Sequence, residues 1–289
     1  MQTTVASARR WNTALCLVLP AAGTLHDRPD VWFAAFWRIV LVLFFGTVAS
    51  SAAFQFVASK VGRLIQTSPS AQPTRVRDEL IDTFVGFCWL VGAIVAWPVT
   101  QAQLGRETAL RSSLAECGVN NSAALYVIKA LFGLLVADAY NYWKHRCFHH
   151  RALWAFHKTH HSHHNPSCMA GYAISPMYSF ATFWPVYLFC VPQLGLYAPL
   201  HTPFLFFYLF LNFYLHCGYV IDPVERIFAP LGIMTSAWHN VHHEKGRLGF
   251  DYKDQTFGEM LSLWDIAMGT YPQGHYKTTA DRSGKAKGA

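Results

Sequence analysis

Charge is scarce in this sequence: Asp, Glu, Lys and Arg make up 13% of its 289 residues, about half the share usual in a soluble domain. With 53% of residues hydrophobic, the deficit argues against a pair of soluble domains and for an integral membrane protein. Paired cysteines are missing too. The seven cysteines are odd in number and scattered, with no CxxC, so neither a disulfide framework nor a thiolate zinc site is indicated, and a reducing, cytosol-facing site is the simpler expectation. Histidine is almost absent from the first 120 residues, where His26 stands alone. No Ser-His-Asp set or carboxylate pair marks a hydrolase. The net charge of +7 does not point to nucleic acid, because the basic residues sit beside apolar runs, where they set topology.

Crossing the hydrocarbon core takes about 20 apolar residues. Such runs are read at 39–58, 80–100, 123–143, 172–191 and 195–215. The last two form a hairpin that prolines leave either spanning or re-entrant. Trp32, Phe33, Phe36 and Trp37 precede the first run as an aromatic belt, and Arg9-Arg10 followed by an apolar stretch gives the N-terminus a short signal-like character. The expected fold is all-α: a polytopic membrane protein of four to five transmembrane or re-entrant helices with a cytosolic helical cap. The expected divisions are an N-terminal flank 1–38, two spans with linkers 39–122, a catalytic region 123–272 and a tail 273–289. The linker 59–78 carries Lys60, Arg63, Arg75 and Arg77, and span parity puts it on the same face as the histidine-rich region. The positive-inside rule makes that face cytosolic. Lys285 and Lys287 then form a cytosolic dilysine ending that fits residence in the endoplasmic reticulum, and Asn120 opens a glycosylation sequon too close to a span for use.

What is abundant is histidine in one stretch, with eight of the 15 between His145 and His164. On a helix, residues four apart share a face, so His145 and His149 can point at one metal ion. His157, His160 and His161 offer the same grip twice, and His239, His242 and His243 repeat that spacing downstream. Together with His216, these nine imidazoles exceed what one tetrahedral zinc uses, so two ions are expected. Asp138, Tyr142, His145 and His149 fall on one helical stripe, which makes Asp138 a candidate acceptor for a ligand histidine N–H. With His145 and His149 as box one, His157, His160 and His161 as box two, and His239, His242 and His243 as box three, His164 shares the face of box two and is a candidate for the same kind of support. His26, His201 and His275 are read as non-ligands, and His150 and His163 only as neighbours of the boxes.

The strings Asp138-x-x-x-Tyr142-Trp143-x-His145-Arg146-x-x-His149, His157-x-x-His160-His161-Ser162 and His239-x-x-His242-His243, in that order with apolar segments between them, resemble the fatty acid hydroxylase/sterol desaturase superfamily of membrane di-iron enzymes. The closing stretch from Phe257-Gly258 through Leu263-Trp264-Asp265 to Gly269-Thr270-Tyr271 is similar to that family's ending, and the resemblance covers roughly residues 123–272. It implies two iron ions, replaceable by zinc in recombinant material, with dioxygen as co-substrate. It also implies His216 as an additional ligand and hydroxylation or desaturation of a sterol or fatty acyl lipid in the bilayer. With one histidine in the first 120 residues, no fused haem domain of the cytochrome b5 type is expected there, and electrons are expected from cytochrome b5 and its NAD(P)H reductase or an equivalent donor. The chain departs from the common family pattern at Tyr172-Ala-Ile-Ser-Pro176, which leaves the lipid open. The competing expectation is a histidine-rich metal transporter or metal-binding membrane protein. It is disfavoured because transporters place ionisable ligands within their spans, near the midplane.

Overall fold

The computed structural model describes residues 28–66, 76–89, 123–185, 198–245 and 256–271. Outside them lie the N-terminal flank with His26, the second half of the expected span 80–100, the connection with the Asn120 sequon, the hairpin joint at 192–195, and the tail with His275, Lys285 and Lys287. The described chain is helical apart from one two-stranded pair.

Helix α1 (Pro29–Val61) opens with proline in its first turn, where a missing N–H costs nothing. Its 33 residues make it the one described helix that passes both length and apolarity requirements for crossing a membrane. Leu41, Val42, Leu43, Phe45, Phe56 and Val57 face outward, while Trp32, Phe36, Val40 and Ala58 are buried. The helix stops at Gly62, whose N–H still reaches the Ala58 carbonyl at 2.8 Å. A side chain at Gly62 would strike that carbonyl and Tyr219, so the tight exit requires glycine. Strand β1 (Arg63–Leu64) follows directly and pairs antiparallel with β2 (Tyr219–Val220), Arg63 opposite Val220.

Helix α2 (Val76–Phe87) buries Glu79 and Asp82. It uses them to hold the loop after box two: Ser167 Oγ donates to Glu79 at 2.7 Å, and His163 Nε2 lies 3.2 Å from Asp82 Oδ2. Helix α3 (Ala123–Phe148) runs through the expected span 123–143 and past it into box one. A tight turn leads to α4 (Trp154–His161), which carries box two. The expected span from residue 172 is not continuous at its start. A 3-10 helix, Cys168–Tyr172, comes first, and α5 (Pro176–Pro185) begins only at the proline, because a residue before proline is held out of the α region. Helix α6 (Ala198–His216) returns the chain to the box side, and α7 (Asp222–Phe228), α8 (Ser236–Lys245, box three) and α9 (Leu263–Ala267) complete the described elements.

The core that joins these pieces contains Phe87, Cys168, Tyr172, Leu211, Phe213, Tyr214 and Met234, with Tyr172 stacked on Phe87 at 5.4 Å. Two amides from the first helix region thread it. Gln55 donates to the Cys217 carbonyl and accepts the Cys168 N–H, each at 2.9 Å. Gln66 donates to Asn240 at 2.9 Å and to the His164 carbonyl at 2.8 Å. Gln55→Leu strands both backbone groups, so a loss of about 1–3 kcal/mol is expected. Arg63→Ala removes the exposed Arg63–Asp222 pair, worth under about 1 kcal/mol. Thermal melts of the two variants should keep that order; equal melts would mean that Gln55 braces nothing.

Candidate metal centre

Helix geometry decides how the boxes share their histidines. Each residue turns about 100° from the last, so residues four apart point the same way and adjacent ones diverge. His145 near the end of α3 and His149 just beyond it point into one place, where His157 and His161 from α4 and His242 from α8 join them. His160 from α4 meets His216 at the end of α6 and His239 and His243 from α8 in a second place. Within each group the candidate ligand nitrogens all lie within 4.8 Å of one another, and all nine side chains are buried. The two His-His pairs, His160-His161 and His242-His243, each send one ring to each group.

The nitrogens are spaced as donors around an ion. His161 Nε2 lies 3.1, 3.0 and 3.1 Å from the Nε2 atoms of His149, His157 and His242. His239 Nε2 is 2.9 Å from His216 Nε2. Metal–nitrogen bonds of about 2.1 Å at right angles place neighbouring nitrogens about 3.0 Å apart. His145 Nε2 and both nitrogens of His243 are buried without a hydrogen-bond partner, a costly state unless something else accepts the lone pair. An all-imidazole donor set fits iron, zinc, copper or nickel. Both groups can therefore hold a metal ion.

Backbone carbonyls set the tautomers at three positions. A carbonyl only accepts, so His145 Nδ1–H donates to Phe257 O at 3.0 Å, His160 Nδ1–H to Ala170 O at 3.2 Å and His216 Nδ1–H to Asn212 O at 2.8 Å. Each leaves its Nε2 lone pair directed into a group. The Phe257 carbonyl is itself positioned by Asp265, which takes the Phe257 and Gly258 N–H groups at 2.7 and 2.8 Å and the Thr270 hydroxyl at 2.6 Å. Gly171 in the 3-10 helix permits the closest approach: a Cβ there would lie 2.8 Å from His216 Nδ1 and against the Asn212 amide.

Asp138 is placed against the closing segment and not against His145. Its Oδ1 accepts the Leu261 N–H at 3.2 Å, so it anchors the 256–271 segment. Seven residues separate it from His145, a rise of about 10 Å, and sharing a stripe does not close that gap. His163 is tied to Asp82, and the exposed His150 accepts the Ala152 N–H. His164 meets Gln66 through its carbonyl, and His201 lies four turns before His216 on α6. Sequence spacing gives no hint of Glu259, Tyr178 or Gly171. Lys144 carries only a weak signal, its place on α3 next to a box histidine.

Residues 130–270 match the family described as fatty acid hydroxylase. The chain is similar to lathosterol oxidase of Homo sapiens, 31% identical over 150 residues that make up 50% of this chain and 45% of that protein. The lathosterol oxidase of Rattus norvegicus gives the same figures. It is also similar to a probable Delta(7)-sterol 5(6)-desaturase of Neurospora crassa, 29% identical over 153 residues, 48% of this chain and 36% of that protein. The chain thus spans less than half the length of these curated relatives. No solved structure gives a match.

Burial holds the imidazoles of His157, His160, His161, His239 and His243 well below the ordinary histidine pKa. Below about pH 6.5 the unfolded chain takes up protons that the folded chain refuses, so this stability is present above that pH and lost as the pH falls. The unfolding temperature of metal-free protein should therefore drop steeply between about pH 6.5 and 5, and a flat profile would contradict the buried neutral state. Gly171→Ala should push His216 out of its group and weaken metal there by about 10- to 100-fold, so that elemental analysis falls from about two ions per chain toward one.

Proposed function

We propose, from the match of residues 130–270 to the fatty acid hydroxylase family and the similarity to lathosterol oxidase, that this chain is a membrane oxidoreductase of the fatty acid hydroxylase/sterol desaturase superfamily that hydroxylates or desaturates a lipid. The observation that carries the reading is the convergence of nine box and α6 histidines into two adjacent all-nitrogen groups. His145, His149, His157, His161 and His242 hold one iron, and His160, His216, His239 and His243 hold the other. Bound irons would supply dioxygen activation and the oxidising power to attack an unactivated C–H bond.

The chain's own residues do the rest. The carbonyls of Phe257, Ala170 and Asn212 keep Nδ1 protonated on three rings, so each ring offers Nε2 without rearrangement. A cavity beside both groups is lined by His145, His160, His216 and His239 and by apolar Tyr172, Ile174 and Leu215. That wall receives the hydrocarbon of the lipid and keeps water from the reacting carbon. The names of the relatives, lathosterol oxidase and sterol desaturase, favour a sterol. Electrons come from cytochrome b5 and its NAD(P)H reductase or an equivalent donor. The protein crosses the bilayer four to five times, with α1 as the first span and with α3, at 26 residues, and α6, at 19, long enough to serve. Boxes and C-terminus face the cytosol of the endoplasmic reticulum.

The test is a lipid profile of cells with and without the protein, scored for a product heavier by one oxygen or lighter by two hydrogens. His161→Ala and His243→Ala each remove one donor from one group, and either should reduce product to background while the protein still accumulates in membranes. His201→Ala should keep most of it. Ions are counted on the same preparation, because zinc in recombinant material would fill the groups without turnover. Equal product from His161→Ala and His201→Ala would end the oxidoreductase reading.

A further inference from the structure

The cavity beside the histidine groups has a wall that a hydrocarbon does not need. Alongside His145 and His160 it presents Glu259, Tyr178, Tyr208 and Thr182. Glu259 Oε1 accepts Lys144 Nζ and the Tyr178 hydroxyl, each at 3.0 Å, and Oε2 accepts the Tyr208 hydroxyl at 3.2 Å. Lys144 is also bonded to Thr182 Oγ1 at 3.0 Å and sits 4.5 Å above the Tyr178 ring. The lysine side chain is only 2% exposed and the glutamate 15%. The arrangement reaches the histidines twice: the Tyr178 ring stacks on His157 at 4.3 Å, and Glu259 Oε1 is 3.7 Å from His145 Nδ1.

A buried ion pair is a poor device for stability alone, because desolvating both charges consumes most of their attraction. A site meant only for methylene groups is better lined by leucine. The charge state also says what fits here. Lys144 already neutralises Glu259, so a ligand cation gains little and a ligand anion meets a carboxylate. A carboxylate offers about four acceptor positions. Three are filled by Lys144, Tyr178 and Tyr208, and the open one is on Oε2, on a residue that lines the cavity. The matching group is a neutral donor, a hydroxyl.

We propose that Glu259, held in place by Lys144, Tyr178 and Tyr208, is the polar subsite of the substrate cavity and accepts a hydrogen bond from a hydroxyl of the lipid. The assignment rests on the oxidoreductase reading above and narrows it. Because the carboxylate stands beside His145, the hydroxyl and the oxidised carbon lie a few bonds apart. The substrate class is a lipid alcohol oxidised close to its hydroxyl, not an acyl chain oxidised far from its head group. Glu259 thereby sets which carbon is presented.

The experiment uses the metal-loaded full chain in lipid nanodiscs with its electron donor, and compares lathosterol with its O-methyl ether, which keeps the shape and loses the donor. The wild type should favour the alcohol in kcat/KM and in binding by about 10- to 100-fold, the size of one hydrogen bond to a charged acceptor. The double variant Lys144→Met/Glu259→Leu removes both charges at once and leaves no unpaired ammonium. Its preference should collapse to within about threefold, with two ions still bound. A purely structural loss would lower both substrates together and leave the ratio unchanged. A wild-type ratio near one, or a ratio preserved in the double variant, overturns the subsite while leaving the oxidoreductase reading intact. Metal-loaded wild type that oxidises neither compound, nor any other lipid alcohol or acyl chain supplied, ends that reading and the subsite with it.

Discussion

Nine neutral imidazoles must be packed into the protein with their lone pairs facing one another. Such rings repel electrostatically and give up their water, so without an acceptor at the centre the arrangement is unfavourable. The surrounding structure reads as a frame that holds them against this. Three Nδ1–H groups are bonded to carbonyls from three different segments, around Phe257, Ala170 and Asn212. Those segments are fixed in turn by Asp265, by the 3-10 helix Cys168–Tyr172 and by the end of α6. The same convergence is what a pair of metal ions relieves. Metal binding there would be coupled to folding through the same nine side chains.

The sharing of histidines between the groups follows from the phase of two short helices. In box two, His157 and His161 face the first group and His160 the second; in box three, His239 and His243 face the second and His242 the first. An HxxHH string on a helix always divides this way, because its outer members are four apart and its inner one is offset. Two such strings on opposing helices, α4 and α8, therefore interlock into two centres. Rings from different groups remain in contact, with His161 and His243 centroids 5.0 Å apart. Loss of either helix would dismantle both centres, not one.

The boxes are legible in the sequence because their geometry is local: four residues on a helix fix a direction whatever the rest of the fold does. The helical class is legible for the same reason, from long apolar runs and few charges. What is not legible depends on rise and on distant segments. Asp138 shares a stripe with His145, yet it stands two turns away and meets Leu261. Gly171 matters only because α6 brings Asn212 and His216 against it. Glu259 becomes part of the cavity wall only when the closing segment folds back over α3, 115 residues away along the chain from Lys144. The start of α5 at Pro176 follows a local rule, but the apolar run from Tyr172 conceals it.

The first helix links the membrane to this frame. Gln55 sits within the described helix that is long and apolar enough to cross a membrane, where an amide is expensive unless both its ends are bonded, and both are: to Cys217 just after His216 and to Cys168 at the start of the 3-10 helix. Beyond Gly62, the β1–β2 pair and Gln66 extend the same connection to Gly218, His164 and Asn240. The segments that present His160, His216 and His243 are thus each bonded to α1 or to the stretch that directly continues it. With α1 as the membrane span proposed above, its apolar surface would fix the depth of the histidine groups as well. Whatever enters the cavity then meets the histidine groups at a height that α1 has already determined.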